Sequence, residues 1–169
     1  MSIPPGTWRI GRLGGVDLLI KPSIVLMGVV LVALFAPRFD DRSQSNPYAL
    51  AAAFVIALYV SVLVHELAHV FIARRFGMRV QSVTLHLLGG ETLIDGESRT
   101  PWQELTISIA GPLTSLAIGL AALSISGSMA GTVSDVLWSV GYVNVLVAIF
   151  NMLPGLPLDG GRVFRAIIW

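Results

Sequence analysis

The chain contains no cysteine and few charged residues, and each shortage excludes a class of protein. With no cysteine among 169 residues, disulfide frameworks, thiolate metal sites and cysteine nucleophiles are excluded. Charged residues make up 12% of the chain, against roughly 25% in soluble domains. The net charge of +1 provides no basic surface for nucleic acid. We therefore expect no nucleic-acid partner, and any metal must be held by histidine and carboxylate.

Hydrophobic residues, in contrast, make up 54% of the chain and are gathered in blocks. The first block is short and covers residues 23–36, with an alternative start nearer to Val16. A helix needs about 20 apolar residues to cross a bilayer, and three later blocks meet this length: residues 48–76, 105–126 and 133–153. The pattern predicts an all-α polytopic membrane protein with about four transmembrane helices.

Two segments differ from these blocks. Residues 78–99 have mixed polarity, β-branched residues and a Gly89-Gly90 turn signal, which predicts a small membrane-associated β-hairpin. A solvated loop is the alternative for this segment. The apolar run 163–169 reaches the last residue, which indicates a truncated C-terminal helix.

Basic residues are distributed unevenly between the predicted helices. Lys and Arg lie before the first helix, after the second and after the fourth, and none lies between the third and fourth. Between the first and second helices, Arg38 and Arg42 are offset by Asp40 and Asp41. The positive-inside rule then puts the N-terminus, residues 74–104 and the C-terminus in the cytoplasm. We expect a multi-pass protein of the plasma membrane.

A metal-binding pattern lies inside the second hydrophobic block, where His65, Glu66 and His69 form the sequence HExxH. Histidines four residues apart project from one face of a helix and can hold one Zn²⁺, with Glu66 beside them to take a proton from water. Two structural histidines bonded to backbone carbonyls are the alternative. Ionisable residues are expensive in a membrane helix unless they serve a site, which favours the metal.

A catalytic zinc needs a third protein ligand. Asp159 follows the fourth helix and returns to the membrane face near which His69 lies, whereas Asp135 lies at the opposite face. Prolines and glycines in the loop 154–161 break the helix and allow tight backbone geometry there. We therefore favour Asp159, with a capping role for the next helix as its alternative. The other candidates lie in or near the hairpin: His86, Glu91, Asp95, Glu97 and Glu104.

Polar and small residues on the last two long helices are candidates for roles in catalysis and in helix packing. Asn151 faces the site and could donate a hydrogen bond to a tetrahedral oxyanion, with an interhelical hydrogen bond as an equal alternative. Asn144 is predicted to join helices. The four-residue spacing of Gly111, Ser115 and Gly119 predicts close helix packing.

Together, the motifs at 65–69 and 151–161 resemble the site-2 protease family of intramembrane zinc metalloproteases, of the M50 type. The Ala-Gly-Pro sequence at 110–112 and the glycine pair at 89–90 resemble that family as well. The resemblance covers roughly residues 52–165. It implies a three-span catalytic core, a zinc ion and cleavage of membrane-embedded substrates.

The resemblance also implies roles for individual residues: His65, His69 and Asp159 as zinc ligands, and Glu66 as the general base. On this basis we expect an intramembrane zinc endopeptidase acting in regulated intramembrane proteolysis. Its substrate would be a transmembrane protein, which the open edge of the hairpin could bind as an extended strand. A metal-binding transporter and a catalytically inactive scaffold of the family are the alternatives.

The chain divides into two parts under this interpretation. Residues 1–47 form an N-terminal segment with the first transmembrane helix, and residues 48–169 form the catalytic membrane core. We expect the chain to contact membrane lipid, and self-association as a homo-oligomer is left open.

Overall fold

The structure is a computed structural model and describes residues 4–40, 46–87, 89–155 and 157–169. Asp41 and Arg42, two of the charges used to assign the orientation, lie outside the described residues, as do position 88 of the predicted hairpin and position 156 of the predicted loop.

Five helices dominate the described part of the chain. They are α1 (Ser23–Asp40), α2 (Pro47–Arg75), α3 (Pro101–Gly127), α4 (Thr132–Asn151) and α5 (Asp159–Ile168). Proline at the first helical position and a polar N-cap define where the two longest helices begin. Asn46 Oδ1 accepts a hydrogen bond from Tyr48 N before α2, and Thr100 Oγ1 accepts one from Gln103 N before α3.

Three of these helices, α2, α3 and α4, are long and apolar enough to cross a membrane. They agree with the three longer blocks predicted from the sequence to within a few residues. The apolar stretch of α1, Ser23–Phe39, is shorter than these three. A mostly helical fold with three candidate spans in the described residues is therefore established, whereas a fourth span rests on α1.

The sheet is larger than the predicted hairpin. Strands β3 (Val80–His86) and β4 (Gly89–Ile94) form that hairpin, but β1 (Trp8–Leu13) and β2 (Val16–Ile20) add to it. A turn at Gly14-Gly15, with φ of 54° and 90°, joins β1 to β2. The alternative start of the first transmembrane block near Val16 is therefore wrong, because Val16 begins a strand.

The strands follow the order β1-β2-β3-β4 in one sheet. β2 pairs with β3 in parallel, from Asp17 opposite Ser82 to Ile20 opposite Leu85, and the other two pairs are antiparallel. β3 thus lies inside the sheet. β4 is an outer strand, and among the described residues no strand pairs with its second edge.

Two apolar clusters hold these layers together. The first packs the sheet against α2 and α3: Val16, Val70, Ala73, Val80, Val83 and Ile107. The second joins α1, α2 and α4: Ala36, Phe39, Ala51, Phe54, Val55 and Val140. The sheet is thereby fixed at the C-terminal end of α2, close to the histidines.

Glycines allow α3 and α4 to approach each other closely. A Cβ at Gly119 would lie 2.9 Å from the carbonyl oxygen of Gly141, and a Cβ at Gly141 would lie 2.9 Å from that of Gly119. Asn144 Nδ2 also donates to Ser61 Oγ at 3.2 Å and joins α4 to α2. The packing roles predicted for Gly119 and Asn144 are confirmed.

Candidate metal centre

The two histidines of α2 are buried on one face of the helix. His65 is 4% exposed and His69 is 6% exposed, and their ring centroids lie 5.0 Å apart. Side chains four residues apart lie above one another on a helix, so the spacing alone produces this arrangement. Both imidazoles face α3 and α5, where their partners Ser115, Ile107 and Asp159 lie.

Asp159 is brought to this face by the chain reversal between α4 and α5. α4 ends at Asn151, and α5 begins at Asp159. A Cβ at Gly160 would overlap with the carbonyl groups of Met152 and Leu153, so only glycine allows α5 to begin this close to the end of α4. The tight reversal directs the carboxylate of Asp159 towards α2.

The three side chains converge through one atom each. Asp159 Oδ2 lies 3.1 Å from His65 Nε2 and 3.4 Å from His69 Nε2, and the three atoms all lie within 4.8 Å of one another. Ligand bonds of about 2.0–2.1 Å in a tetrahedral zinc site put neighbouring ligand atoms roughly 3.3 Å apart. The donor set and its spacing therefore fit a zinc ion. Asp159 does not cap α5, because Leu158 holds the N-cap position without a side-chain bond.

The second ring nitrogen of each histidine is held by α3. His69 Nδ1 donates to the carbonyl oxygen of Ile107 at 2.7 Å, and His65 Nδ1 lies 2.9 Å from Ser115 Oγ. A carbonyl oxygen only accepts, so Nδ1 of His69 carries a proton, and Nε2 is the nitrogen that a neutral ring would offer to a metal. Partners of this kind fix the ring orientation of metal-binding histidines.

A glycine of α3 lies against the point where the nitrogens converge. A Cβ at Gly111 would overlap with Nε2 of both His65 and His69. The space next to the two nitrogens is therefore kept open by the missing side chain. Gly111 serves the histidines, and not only the close helix packing that its spacing predicts.

Glu66 is buried next to the histidines and is held by the sheet. Thr92 Oγ1, in β4, donates to Glu66 Oε2 at 2.6 Å. A Cβ at Gly90 would overlap with the Glu66 carboxylate, so glycine allows β4 to pass directly over this side chain. A carboxylate in this position can accept and release a proton at the edge of the histidine cluster.

Charge at Asp159 agrees with a ligand role. Burial raises the pKa of Asp159, but the neighbouring His65 and His69 rings outweigh this effect and lower the pKa to about 2. The carboxylate is therefore ionised near neutral pH, as metal binding requires.

The remaining predicted residues lie in other contacts. Asn151 Nδ2 donates to the carbonyl oxygen of Val147 at 2.9 Å, within its own helix. Its predicted oxyanion role stays a prediction, and so does its interhelical alternative. Among the other ligand candidates, Glu104 pairs with Arg165, and Asp95 accepts a hydrogen bond from Gln81.

Three contacts of the site were not predicted from the sequence. The spacing of Ser115 predicts helix packing alone. Its hydroxyl, one turn after Gly111 on an apolar helix, could also have indicated a hydrogen-bond partner for a histidine. The Ile107 carbonyl is backbone and carries no sequence signal. The Thr92 contact depends on how β4 packs on α2, which no local pattern reports.

Comparison with known proteins gives one consistent result. The family model described as Peptidase family M50 matches residues 53–133 and 125–169. Rip3 of Mycobacterium tuberculosis is 45% identical over 169 residues, which cover 95% of this chain and 43% of Rip3. Zinc metalloprotease MJ0392 of Methanocaldococcus jannaschii is 31% identical over 163 residues, which cover 95% of this chain and 45% of that protein.

A solved structure is similar as well. The structure named Site-2 Protease from Methanocaldococcus jannaschii aligns with a TM-score of 0.74 and 29% identity, covering 96% of this chain and 71% of that chain. The present chain spans less than half the length of Rip3 and of MJ0392.

Proposed function

Because the chain belongs to peptidase family M50, we propose that it is the catalytic core of an intramembrane zinc endopeptidase. The observation that carries the proposal is the convergence of His65 Nε2 and His69 Nε2 on Asp159 Oδ2, with Glu66 adjacent to His65 in α2. The relatives named zinc metalloprotease and site-2 protease support the same chemistry. The chain itself is an integral membrane protein, given its family and its three apolar helices.

His65, His69 and Asp159 would hold the zinc ion through two nitrogens and one oxygen. This donor set suits Zn²⁺, and three protein ligands leave a fourth position for water or substrate. When bound, zinc supplies Lewis acidity, which lowers the pKa of water towards neutrality and polarises the scissile carbonyl.

Glu66 is the general base of this proposal. Its carboxylate takes the proton from the attacking water and then passes it to the nitrogen of the leaving amine. The hydrogen bond from Thr92 orients the carboxylate for both transfers. Burial of Glu66 keeps bulk water from competing with the proton transfer.

Asn151 is proposed as the donor to the tetrahedral oxyanion. Its side-chain NH₂ now donates to the Val147 carbonyl, and a rotation of the side chain would release it towards substrate. Donors of this kind contribute about 3 kcal/mol to the transition state.

The substrate we propose is a transmembrane protein whose helix is opened locally before attack. The outer edge of β4 offers backbone groups for an extended segment, and β4 lies directly over Glu66 through Gly90 and Thr92. β3 does not offer such an edge, because it pairs with β2 and β4 on its two sides.

We also propose four spans, with α1 as the first, and a division into residues 1–47 and a catalytic core at 48–169. Arg74 and Arg75 in the last turn of α2 support a cytoplasmic location for this helix end and for the nearby site. The plasma membrane is the proposed location. Contact with lipid follows from the exposed apolar side chains of the spans, such as Ile56 and Leu120.

A transporter would need metal ligands along a path through the membrane. Within the described residues, His65, His69 and Asp159 are the one group of three that could hold a metal ion. This single cluster favours the protease.

Purified wild type and the variant Glu66→Ala test the proposal, by zinc analysis and by cleavage of a transmembrane reporter. We expect equal zinc content and loss of cleavage in the variant. Glu97→Gln, in the exposed loop after β4, is the matched carboxylate control and should cleave like wild type. Equal cleavage by wild type and Glu66→Ala would refute the role of Glu66, and zinc transport into liposomes without proteolysis would favour a transporter.

A further inference from the structure

A buried carboxylate of α3 is paired with an arginine of α5, the short helix that begins at Asp159. The side chain of Glu104 is only 3% exposed. Its Oε1 accepts hydrogen bonds from Nη2 of Arg165 and, at 3.0 Å, from Nε. Glu104 Oε2 has no hydrogen-bond partner among the described residues. Within that part of the chain, Arg165 thus supplies the compensation for the buried charge.

The pair is a directional contact at the far end of α5. Arg165 lies six positions after Asp159, which is about 9 Å along the axis at 1.5 Å per residue. The buried residues of α5 are Gly160, Val163 and Ala166, whereas the side chain of Arg165 is 58% exposed. Apolar packing is non-directional and restrains the sliding and turning of a helix less than a hydrogen bond does. A guanidinium with two hydrogen bonds to one carboxylate fixes the helix position more closely.

α3 is then the common support of all three proposed metal ligands. Ser115 contacts His65, the Ile107 carbonyl accepts from His69, and Glu104 binds the helix that carries Asp159. Positions 104, 107, 111 and 115 follow the three- and four-residue spacing of one helix face. A shift of α5 relative to α3 would therefore move Asp159 relative to both imidazoles.

A stability role alone does not explain the pair. Desolvation of the buried Glu104 carboxylate offsets its attraction to Arg165, whose side chain is 58% exposed, so the pair contributes little net stability. What the pair adds is a defined geometry between two helices. We propose that Glu104 and Arg165 are positioning residues that set the place of Asp159 for metal binding, an inference that rests on the proposed function.

Zinc affinity of the purified full chain tests this inference, measured by competition with a chelator. Glu104→Gln keeps the shape of the side chain and removes its charge. Loss of outer partners at metal sites weakens affinity about 10- to 100-fold, and we expect a loss in this range. The visible absorption of the cobalt-loaded variant should change too, because it reports ligand geometry. Arg162→Gln, which removes an exposed arginine one turn earlier in the same helix, is the matched control and should behave like wild type.

A second variant separates position from stability. Glu104→Met combined with Arg165→Met removes the buried charge together with its partner, so the protein should fold even where Glu104→Gln does not. Zinc affinity should still fall about 10-fold or more. A folded Glu104 variant with wild-type zinc affinity and an unchanged cobalt spectrum would overturn the inference.

The outcome can be told apart from failure of the proposed function. Wild type that binds zinc but never cleaves would refute the protease and leave the positioning result intact. If wild type binds no zinc, amide hydrogen exchange over residues 160–168 of the metal-free protein tests whether the Glu104–Arg165 pair restrains α5. Exchange at least about 10-fold faster in Glu104→Gln than in Arg162→Gln supports the pair as the restraint on α5, and equal exchange contradicts it.

Discussion

The hydroxyl of Thr92 donates a 2.6 Å hydrogen bond to Oε2 of Glu66 and so joins the outer strand of the sheet to the proposed general base. Gly90, two residues earlier on the same face of β4, leaves room for the Glu66 carboxylate. The strand that we propose to bind substrate and the residue that moves the proton are therefore in direct contact.

Replacing Thr92 by valine should lower kcat while zinc content stays at the wild-type level. A hydrogen bond to a charged group contributes about 1.5–3 kcal/mol, so we expect a fall of about 10- to 100-fold. Steady-state cleavage kinetics would separate kcat from KM. Thr92→Ser retains the hydroxyl and should restore most of the rate. Equal rates for the valine and serine variants would mean that the hydrogen bond does not matter.

Replacing Gly111 by alanine should abolish zinc binding. The added Cβ would overlap with Nε2 of His65 and of His69, and both side chains would have to move. Alanine favours a helix over glycine by about 1 kcal/mol, so α3 itself should not be weakened. Metal analysis of the purified variant measures the effect. Gly127→Ala, at the end of the same helix with no atom within 4 Å of the added Cβ, should bind zinc normally.

Replacing Ser115 by alanine should weaken zinc binding without abolishing it. His65 Nδ1 loses its 2.9 Å partner, and the ring is then less well oriented. We expect affinity to fall about 10-fold, measured by chelator competition. Ser126→Ala is the matched control, because the buried Ser126 hydroxyl donates to the Leu123 carbonyl of its own helix. A loss of the same size in both variants would assign the effect to general helix packing.

The convergence of His65, His69 and Asp159 can be predicted from the sequence because its signals are local. His65 and His69 are one helical turn apart, and Asp159 directly follows a loop whose prolines and glycines mark a chain reversal. Geometry within one turn or one loop follows directly from residue spacing. The three long helices are predictable for the same reason, because a bilayer sets their length.

The support around that cluster depends on contacts between distant segments. β2 pairs with β3 although both α1 and α2 separate them in the sequence, and nothing near Asp17 indicates its partner Ser82. The Gly14-Gly15 turn is a hairpin signal, but the apolar residues after Val16 continue towards α1 and obscure it. Glu104 looks like a candidate metal ligand until α5 brings Arg165 to it. Such pairings become visible only when the helices are packed.

The proposed orientation can be tested because the chain has no native cysteine. Ser128 lies exposed after α3, in the connection that has no Lys or Arg, and Glu97 lies exposed in the loop between β4 and α3. The positive-inside rule puts these two positions on opposite sides of the membrane. A membrane-impermeant maleimide added to intact cells should label Ser128→Cys and leave Glu97→Cys unlabelled until the membrane is opened. The reverse labelling pattern would invert the topology and move the site near the C-terminal end of α2 to the outer face. Labelling of both positions in intact cells would mean that α3 does not span the bilayer.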